Sequence, residues 1–425
     1  MRRVNESKTG LNTVMAFSLI PLSGFAMDVF IPSLPDMAKQ LNASASSIQL
    51  SLSIFIISYG ISQVLVGGLI DSYGRYRPGL ISLLVFSASS FIIAYTHSLQ
   101  VIYWMRALQG LTTAIIVISK RAYFVDMFTG ERLKKYTSLF SVIWAIAPIV
   151  APFLGGFFQT HWGWTSNFMF LGYFGLVFFV IEFFAGGESL KIPQPFRARP
   201  ILDSYTSMIK TNDFASGIVI LGLAYGMVFV YGMASPFLIE NKLHLSPSVT
   251  GYCSLFSGVS VLIGGSVSRM LIQKPFFKKL LIANSVQLLA VAVMIPLTLY
   301  YQNLTTLFIY IFALHSLAGF IFNSLLSYCL IRFPQHAGKA SGLTGGGFSV
   351  VTAVASSTLV NTITISNQAV LGLTYGILGL FVFVLLIRTR WQESKEEPVR
   401  IAVERSRHLP PGTTFVRRLL FKTPG

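Results

Sequence analysis

The chain has 425 residues, of which 53% are hydrophobic and only 11% are charged. A soluble domain of this length needs more charged surface, and the apolar residues fall in long blocks. The composition therefore excludes a soluble globular protein and predicts an all-α protein that crosses a membrane many times. The net charge of +17 is explained by Lys and Arg retained on the cytoplasmic side, so we expect no nucleic-acid partner.

Twelve long, nearly uncharged blocks predict twelve transmembrane helices. The first block follows a basic flank, as in a signal peptide, but it is too long and lacks a small-residue cleavage site, so we expect an uncleaved helix. Cys253 and Cys329 lie inside apolar blocks, where small buried side chains are expected rather than a disulfide or a metal site. The blocks cover about residues 11–33, 47–70, 78–97, 99–121, 136–158, 165–185, 213–238, 248–269, 280–300, 303–331, 340–363 and 367–388.

The segment 186–212 is polar, basic and rich in proline, and it divides six spans from six. The stretches "VGGLIDSYGR" and "IGGSVSRMLI" end spans two and eight with a glycine pair before a charge, which supports two pseudo-symmetric six-helix bundles. The predicted parts are a cytoplasmic N-terminus (1–10), an N-terminal bundle (11–185), a cytoplasmic linker (186–212), a C-terminal bundle (213–388) and a basic, disordered cytoplasmic tail (389–425).

The charges of the loops predict the orientation of the bundle. With the N-terminus inside, the outer loops carry little positive charge beyond Lys39 and Lys242. Because Lys and Arg are retained in cytoplasmic loops, both termini are predicted to be cytoplasmic. The inner loops then carry Arg75, Arg77, Arg132, Lys134, Lys135, Lys191, Arg197, Arg199, Lys274, Lys278, Lys279, Arg332 and Lys339.

Asp28 and Arg106 are charged residues at membrane depth. A charge there costs at least about 2.5–3.5 kcal/mol, so it needs a partner or a watery cavity. Asp28 precedes the outer end of span one by a depth of roughly 9 Å, and Arg106 follows the outer end of span four by roughly 10 Å, at 1.5 Å per residue. Two opposite charges at matching depth in one half are expected to face each other.

Two interpretations of this pair remain open. The first is a static ion pair that fixes helix packing. The second is a protonatable carboxylate, subject to opposite influences from the low dielectric and from Arg106, which releases its proton when the local field changes. Glu182 lies near the inner end of span six, and no other acid lies deep in a span. If the protein couples to protons, Asp28 is the predicted carrier.

Several further residues are candidates for a substrate cavity. Gly24 and Ile20 share the face of Asp28 at a spacing of four, where Gly24 leaves room and Ile20 supplies an apolar wall, although ordinary packing is an alternative for both. His315 is the one deep histidine and is either a satisfied polar residue or part of the cavity lining. Aromatic residues that could line an apolar pocket are Tyr59, Tyr225, Phe229 and Phe256.

The loop "GGLIDSYGRYRPGL" (67–80) resembles a signature of the major facilitator superfamily between spans two and three. Ser72 and Tyr76 stand where basic residues are usual, and the residues that match it are Gly67, Asp71, Gly74, Arg75 and Arg77. The resemblance implies that Asp71 meets the positive N-terminus of span eleven and that Arg75 pairs with Asp126. Together these contacts would form a latch between the halves on the cytoplasmic side.

Further segments resemble the drug/proton antiporters of this superfamily. "RALQG" (106–110) is similar to their span-four signature, and "APIVAPFLGG" (147–156) to their span-five signature. The paired prolines Pro148 and Pro152 with Gly155 and Gly156 are typical of the bicyclomycin/chloramphenicol resistance subgroup. "MDVFIPSLPDMAKQL" (27–41) and "ASPFLIENKLHLSP" (234–247) also resemble that subgroup. Ile20 lies where some related exporters carry a second acid, which argues against dicationic substrates.

The resemblance implies a proton-driven exporter of amphipathic small molecules in the inner membrane of a bacterium, working by alternating access. We expect a monomer whose partners are substrate, protons and lipid, without a cofactor. A dedicated exporter of one metabolite, such as a siderophore or peptide, remains an alternative, and so does a non-transporting sensor. An enzyme is not expected, because no catalytic constellation is evident, and "GLTGGGF" (342–348) lacks the Lys of a phosphate-binding loop.

Overall fold

The first membrane segment, Thr9–Gln40, consists of three short helices rather than one and extends beyond the predicted span 11–33. The computed structural model describes residues 3–4, 8–193, 196 and 198–407. Pro21 precedes the second of these helices, and a 3-10 helix, Ile31–Ser33, follows it. Because proline lacks an amide hydrogen and clashes with the preceding turn, such residues interrupt a helix. The three helices are α1 (Thr9–Leu19), α2 (Leu22–Asp28) and α3 (Leu34–Gln40).

The other spans are long helices. By length and composition, eleven stretches of the described chain could cross a membrane, with α1 to α3 counted as one. The predicted span 136–158 lies within a further helix, α7. The remaining helices are α4 (Ala45–Tyr73), α5 (Tyr76–Tyr95), α6 (Leu99–Met127), α7 (Gly130–Trp162), α8 (Thr165–Ala185), α9 (Ala198–Ile209), α10 (Asn212–Pro236), α11 (Pro247–Met270), α12 (Phe276–Tyr300), α13 (Leu304–Ile331), α14 (Ala337–Thr362) and α15 (Gln368–Arg407).

The linker and the tail contain helical structure that the sequence did not reveal. Helix α9 lies inside the predicted linker 186–212. Helix α15 continues to Arg407, so the prediction of a disordered tail is wrong for residues 389–407. Pro410 and Pro411, like most of the predicted N-terminal segment before α1, lie outside the described residues.

Two glycine-rich seams join the halves. In the first, α4 packs against α14, where Gly60 lies against the backbone oxygen of Gly346. In the second, α7 packs against α11, where Gly156 meets the backbone of Pro247 and Gly258 meets Ile149. Glycine allows such close approach because it has no Cβ, so the halves can touch through their backbones.

The two ends of the bundle differ. At the end that carries α3, which we call the far end, α3 packs across the halves against a π-helix, Phe237–Lys242, and the 3-10 helix packs against α10 and α11. At the opposite end, called the linker end, α6 and α13 pack within their own halves rather than against each other. At the far end, the two halves are therefore joined through α3 and the 3-10 helix.

Candidate functional site

Asp28 is the last residue of α2, at the point where the first span is interrupted. The side chain is buried, with 5% of its surface exposed. Its Oδ2 has no hydrogen-bond partner, and it forms no ion pair with any residue whose side chain the structure describes. Buried carboxylates are normally hydrogen-bonded or paired, so Asp28 is an exception that calls for an explanation.

Arg106, in α6, is fully buried and reaches the helix that carries Asp28. Its Nη1 donates to the backbone oxygen of Ala26 at 2.8 Å and to Gln109 Oε1 at 2.8 Å. The last carbonyls of a helix lack partners within the helix, and Ala26 lies in the last turn of α2, so the guanidinium caps that end. Sequence reasoning missed this acceptor because it belongs to the backbone.

Two aromatic rings enclose the guanidinium of Arg106. Its Cζ lies 4.6 Å from the ring centroid of Phe30 and 4.4 Å from that of Phe55. Such contacts are cation–π interactions, which gain strength where water is excluded. The Nη2 of Arg106 has no hydrogen-bond partner among the described residues. The charge is thus held in place while one of its donors remains free.

The expected meeting of Asp28 and Arg106 is realised only in part. Arg106 contacts α2 two residues before Asp28, at the depth that the helical rise predicted. The two side chains interact electrostatically without forming an ion pair. The static ion pair considered from the sequence is therefore absent from this structure. Asp28 could change its protonation state without breaking a direct bond to Arg106.

Ile20 and Gly24 both lie in closely packed surroundings. Ile20 is fully buried in an apolar cluster with Ala16, Tyr123 and Phe124. Gly24 lies against Ala147 of α7, where a side chain would collide. Packing thus describes both residues in this structure, and their role in a substrate cavity stays a prediction.

The aromatic candidates divide into two groups. Tyr225 of α10 packs against Phe322 and Phe348, with ring centroids 5.3 and 5.9 Å apart, and it interacts electrostatically with Asp28 across the halves. Phe256 instead packs against Phe308 near lipid-facing residues. Tyr225 thus belongs to the surroundings of the carboxylate, whereas Phe256 lies at the periphery.

The other two aromatic candidates are also buried. Tyr59 stacks on Phe55, the ring that also covers Arg106, with centroids 6.1 Å apart. Phe229, with 4% of its surface exposed, belongs to the main apolar core. Tyr59 is therefore adjacent to the charged site, and Phe229 is a packing residue of α10.

His315 lies inside the C-terminal half with both ring nitrogens bonded. Its Nδ1 is 2.7 Å from Ser257 Oγ, and its Nε2 is 3.0 Å from Tyr375 OH. The ring is fully buried and packs edge-on against Tyr231. The satisfied-histidine alternative therefore describes His315 in this structure, and its role in lining a cavity stays a prediction.

The residues of the expected latch are grouped at the linker end. Arg75 Nε lies 2.6 Å from Asp126 Oδ2, and its Nη1 lies 2.7 Å from Asp71 Oδ1. Half of the Asp71 side chain is exposed, and its one described polar contact is with Arg75 rather than with α14. Gly74 has a φ of +94°, a conformation that favours glycine, while Gly67 lies in open space. In this structure the Arg75 pair is formed and Asp71 does not reach the other half.

The motif of α7 brings the second seam up to Asp28. The helix continues through Pro148 and Pro152. Gly155 lies directly against the backbone oxygen of Val29, the residue after Asp28, and Gly156 lies against α11. Movement of α7 relative to α11 would therefore displace the end of α2.

One buried ion pair of the N-terminal half was not predicted. Lys120 Nζ lies 2.7 Å from Glu182 Oε1, near the linker end. Glu182 was noted from the sequence as a near-terminal acid, but its spacing from Lys120 carries no signal because the two lie on different helices. The pair compensates both charges, whereas Asp28 is a buried acid with an unpartnered oxygen and without an ion pair among the described residues.

Comparison with known proteins gives a consistent result. The model of the Major Facilitator Superfamily matches residues 16–356. An uncharacterized MFS-type transporter, YdgK of Bacillus subtilis, is 30% identical over 75% of this chain and 81% of its own length. Multidrug resistance protein D of Escherichia coli is 25% identical over 87% of this chain and 93% of its own.

The solved structures agree with the fold. A bacterial homologue of the human lysosomal transporter Spinster, in an inward-facing and unoccupied conformation, superposes with a TM-score of 0.69. The alignment covers 91% of this chain and 96% of that protein at 11% identity, so the likeness concerns the fold alone.

Proposed function

We propose that this protein is a proton-driven exporter of amphipathic small molecules. The chain belongs to the major facilitator superfamily, in its drug/proton antiporter subgroup, and is a multi-pass inner-membrane transporter. Its relatives' names support drugs as the substrates. Export by such a carrier exchanges protons moving inward for substrate moving outward, and this exchange needs a group that carries a proton on one leg of the cycle.

Asp28 is the group to which we assign that exchange. The observation that carries the assignment is a buried carboxylate with an unpartnered oxygen, next to a guanidinium that is held by other contacts. Burial favours the neutral acid, and the positive charge of Arg106 favours the carboxylate. Two opposing influences of this kind let a small change in the site move the proton on or off.

Arg106 acts in this proposal as a fixed positive charge. The Ala26 carbonyl, Gln109 and the two rings keep it in place, so its field at Asp28 does not depend on an ion pair that must be broken. A substrate entering between the halves would lie between α2 and the Tyr225 cluster, formed by Tyr225, Phe322 and Phe348. There the substrate and the proton would compete for the negative charge of the Asp28 carboxylate.

Alternating access follows from the position of Asp28 beside the seam. At the far end, α3 and the 3-10 helix pack against the C-terminal half, and we take this as the closed end. Opening this end would move α7 along α11 and would displace Val29, which touches Gly155. The proton site would thus be coupled to the rocking of the halves. With both termini cytoplasmic, the state seen here would be open to the cytoplasm.

The test is uptake into inside-out membrane vesicles with and without an imposed pH gradient. The panel should contain neutral, monocationic and siderophore-like compounds, which also separates a broad exporter from a dedicated one. The proposal predicts accumulation of at least one amphipathic compound when the vesicle interior is acidic, and its collapse on adding a protonophore. Accumulation that is indifferent to the gradient, or ligand binding without flux for the whole panel, would contradict it.

A further inference from the structure

The residue directly before α5 does not cap the N-terminus of this helix with its side chain. The first amide groups of a helix have no partner inside the helix, and a side chain of the preceding residue often accepts from them. Here the preceding residue is Arg75, which is a donor and provides no such bond. The amides of Arg75 and Tyr76 therefore need an acceptor from elsewhere.

That acceptor is Glu188, at the start of the linker. Its Oε1 and Oε2 lie 3.0 and 3.1 Å from the amide nitrogen of Arg75, and its Oε2 lies 3.1 Å from that of Tyr76. A carboxylate at a helix N-terminus is favoured by the helix dipole and by the charge-assisted bonds. The residue that caps α5 thus lies more than a hundred positions away in the sequence.

Further contacts enclose the Glu188 side chain, which is only 8% exposed. Its Oε1 also accepts from the amide of Leu190 at 3.0 Å, and its own backbone oxygen accepts from the amide of Val4 at 3.2 Å. Gly74 leaves the room that the carboxylate occupies, because a side chain at that position would collide with Glu188. Glycine at position 74 thus allows the Glu188 carboxylate to lie against the loop.

The next residue of the linker reaches the Arg75 pair directly. Ser189 Oγ donates to Asp126 Oδ2 at 2.8 Å, and the same oxygen receives Arg75 Nε at 2.6 Å. Glu188 and Ser189 therefore contact both members of the pair, one through the backbone of Arg75 and one through the side chain of Asp126. We call these two linker residues the clamp.

We propose that Glu188 is a positioning residue of the latch, which fixes the loop of Gly74 and Arg75 so that Asp71 and Arg75 are correctly placed when the linker end closes. The part of this proposal that concerns the rate of transport rests on the proposed transport function. In the open state the loop faces solvent, as the half-exposed Asp71 side chain shows, so its displacement matters little. In the closed state the loop must meet the C-terminal half, and its position decides whether the latch forms.

The clamp also shortens the flexible connection between the halves. Residues up to Leu190 are tied to the N-terminal half, whereas α9 already bonds to both halves. Tyr205 OH donates to the Val64 oxygen of α4 at 2.9 Å, and Lys339 of α14 donates to Ser204 at 2.7 Å. Freeing Glu188 would therefore lengthen the connection at the point where it controls the loop.

The experiment compares Glu188→Ala and Glu188→Gln with Glu131→Ala, an acid whose side chain is 88% exposed and pairs with Lys134 in the same half. Two readouts are measured for each variant. One is the maximal rate and KM of pH-driven uptake. The other is the distance between spin labels at Val125 of α6 and Ile331 of α13, in a transport-competent background that lacks both native cysteines. Both label positions have exposed side chains.

We expect Glu188→Ala to lower the maximal rate about fivefold or more, the lower range of measured couplings between sites, with KM changed less than twofold. The label distances should shift toward the long, open population. Glu188→Gln keeps a carbonyl acceptor but loses the charge, so it should lie between Glu188→Ala and wild type. Glu131→Ala should match wild type in both readouts.

Unchanged label distances in a monodisperse Glu188→Ala protein would overturn the proposal, and so would an effect confined to KM. If that variant is not recovered folded, the isosteric Glu188→Gln decides by the same two criteria. The distances do not depend on which compound is carried. A failure of the proposed transport function would therefore remove the rate readout and leave the distance readout to judge the clamp.

Discussion

In the N-terminal half, an oxygen of Asp28 and a donor of Arg106 have no hydrogen-bond partner among the described residues. In the C-terminal half, His315 lies inside the continuous helix α13, and both of its ring nitrogens are hydrogen-bonded, to Ser257 and Tyr375. Satisfied buried networks fix one arrangement of a core, whereas an unsatisfied buried charge calls for an explanation, of which a functional role is one. The comparison supports the proposal that proton exchange takes place in the N-terminal half, whereas the His315 network stabilises one arrangement of the C-terminal half.

The largest expected effect comes from Asp28→Asn. An amide cannot exchange a proton, so accumulation against a gradient should fall to the level of empty vesicles. The free energy of unfolding should be unchanged or higher, since Asp28 makes no described hydrogen bond that the change removes. Uptake and thermal unfolding of the purified protein measure the two parts.

Asp36→Asn is the matched control for Asp28. Asp36 is an acid of α3 whose Oδ2 accepts from Gln159 and from Gln40. This variant should retain uphill accumulation. If Asp36→Asn were as inactive as Asp28→Asn, uphill accumulation would be lost on removal of any acid near the far end, and the unpartnered oxygen of Asp28 would have no special role.

The sequence was informative about the spans and about the depth of the two charges. Hydropathy located the helices because lipid requires long apolar blocks. Depth arithmetic brought Arg106 to α2, but it could not choose between the carboxylate of Asp28 and the carbonyl of Ala26. The carbonyl became available only because the first span is interrupted after Asp28, and Pro21 and Pro32 were not interpreted as breaks from the sequence.

Other features of the site depended on contacts between distant segments. The two partners of His315 lie on α11 and α15, and no local pattern links them to α13. Glu188 likewise caps α5 although it lies more than a hundred residues later in the sequence. The spacing of residues along one helix predicts its faces, but it does not predict which neighbouring helix supplies the partner.

Arg106→Lys is expected to have the next largest effect. A lysine keeps the charge but cannot bond Ala26 and Gln109 while lying between Phe30 and Phe55, as the planar guanidinium does. The loss of two desolvated cation–π contacts should lower the free energy of unfolding by about 2 kcal/mol or more. Uptake should also slow, because the field at Asp28 is no longer fixed. Thermal unfolding together with uptake kinetics checks this, and a lysine variant equal to wild type in both would contradict the role of Arg106.

Gly155→Ala and Gly264→Ala form a matched pair across the two halves. Each added methyl would meet a backbone oxygen, that of Val29 for Gly155 and that of Ser316 for Gly264. Overpacking of this kind should cost about 1–3 kcal/mol of stability at either site. Only Gly155→Ala should also reduce transport per folded molecule, since Val29 directly follows Asp28. Equal loss of transport in both variants would show that the seam beside Asp28 has no special role.

The smallest effect on transport is expected from His315→Leu. The change leaves Ser257 Oγ and Tyr375 OH without this partner, so the free energy of unfolding should fall by about 1–3 kcal/mol. The dependence of uptake on pH should keep the wild-type shape, which a pH series on reconstituted protein would record. A displaced pH profile would mean that the C-terminal half also takes part in proton exchange.

Proton release on substrate addition tests the central claim most directly. Purified protein in weakly buffered detergent solution, above the pH at which free carboxyl groups titrate, receives a transported compound while a pH indicator is followed. The account predicts proton release from wild type and none from Asp28→Asn that is folded and still binds the compound. Equal release from both proteins would contradict the assignment of proton exchange to Asp28.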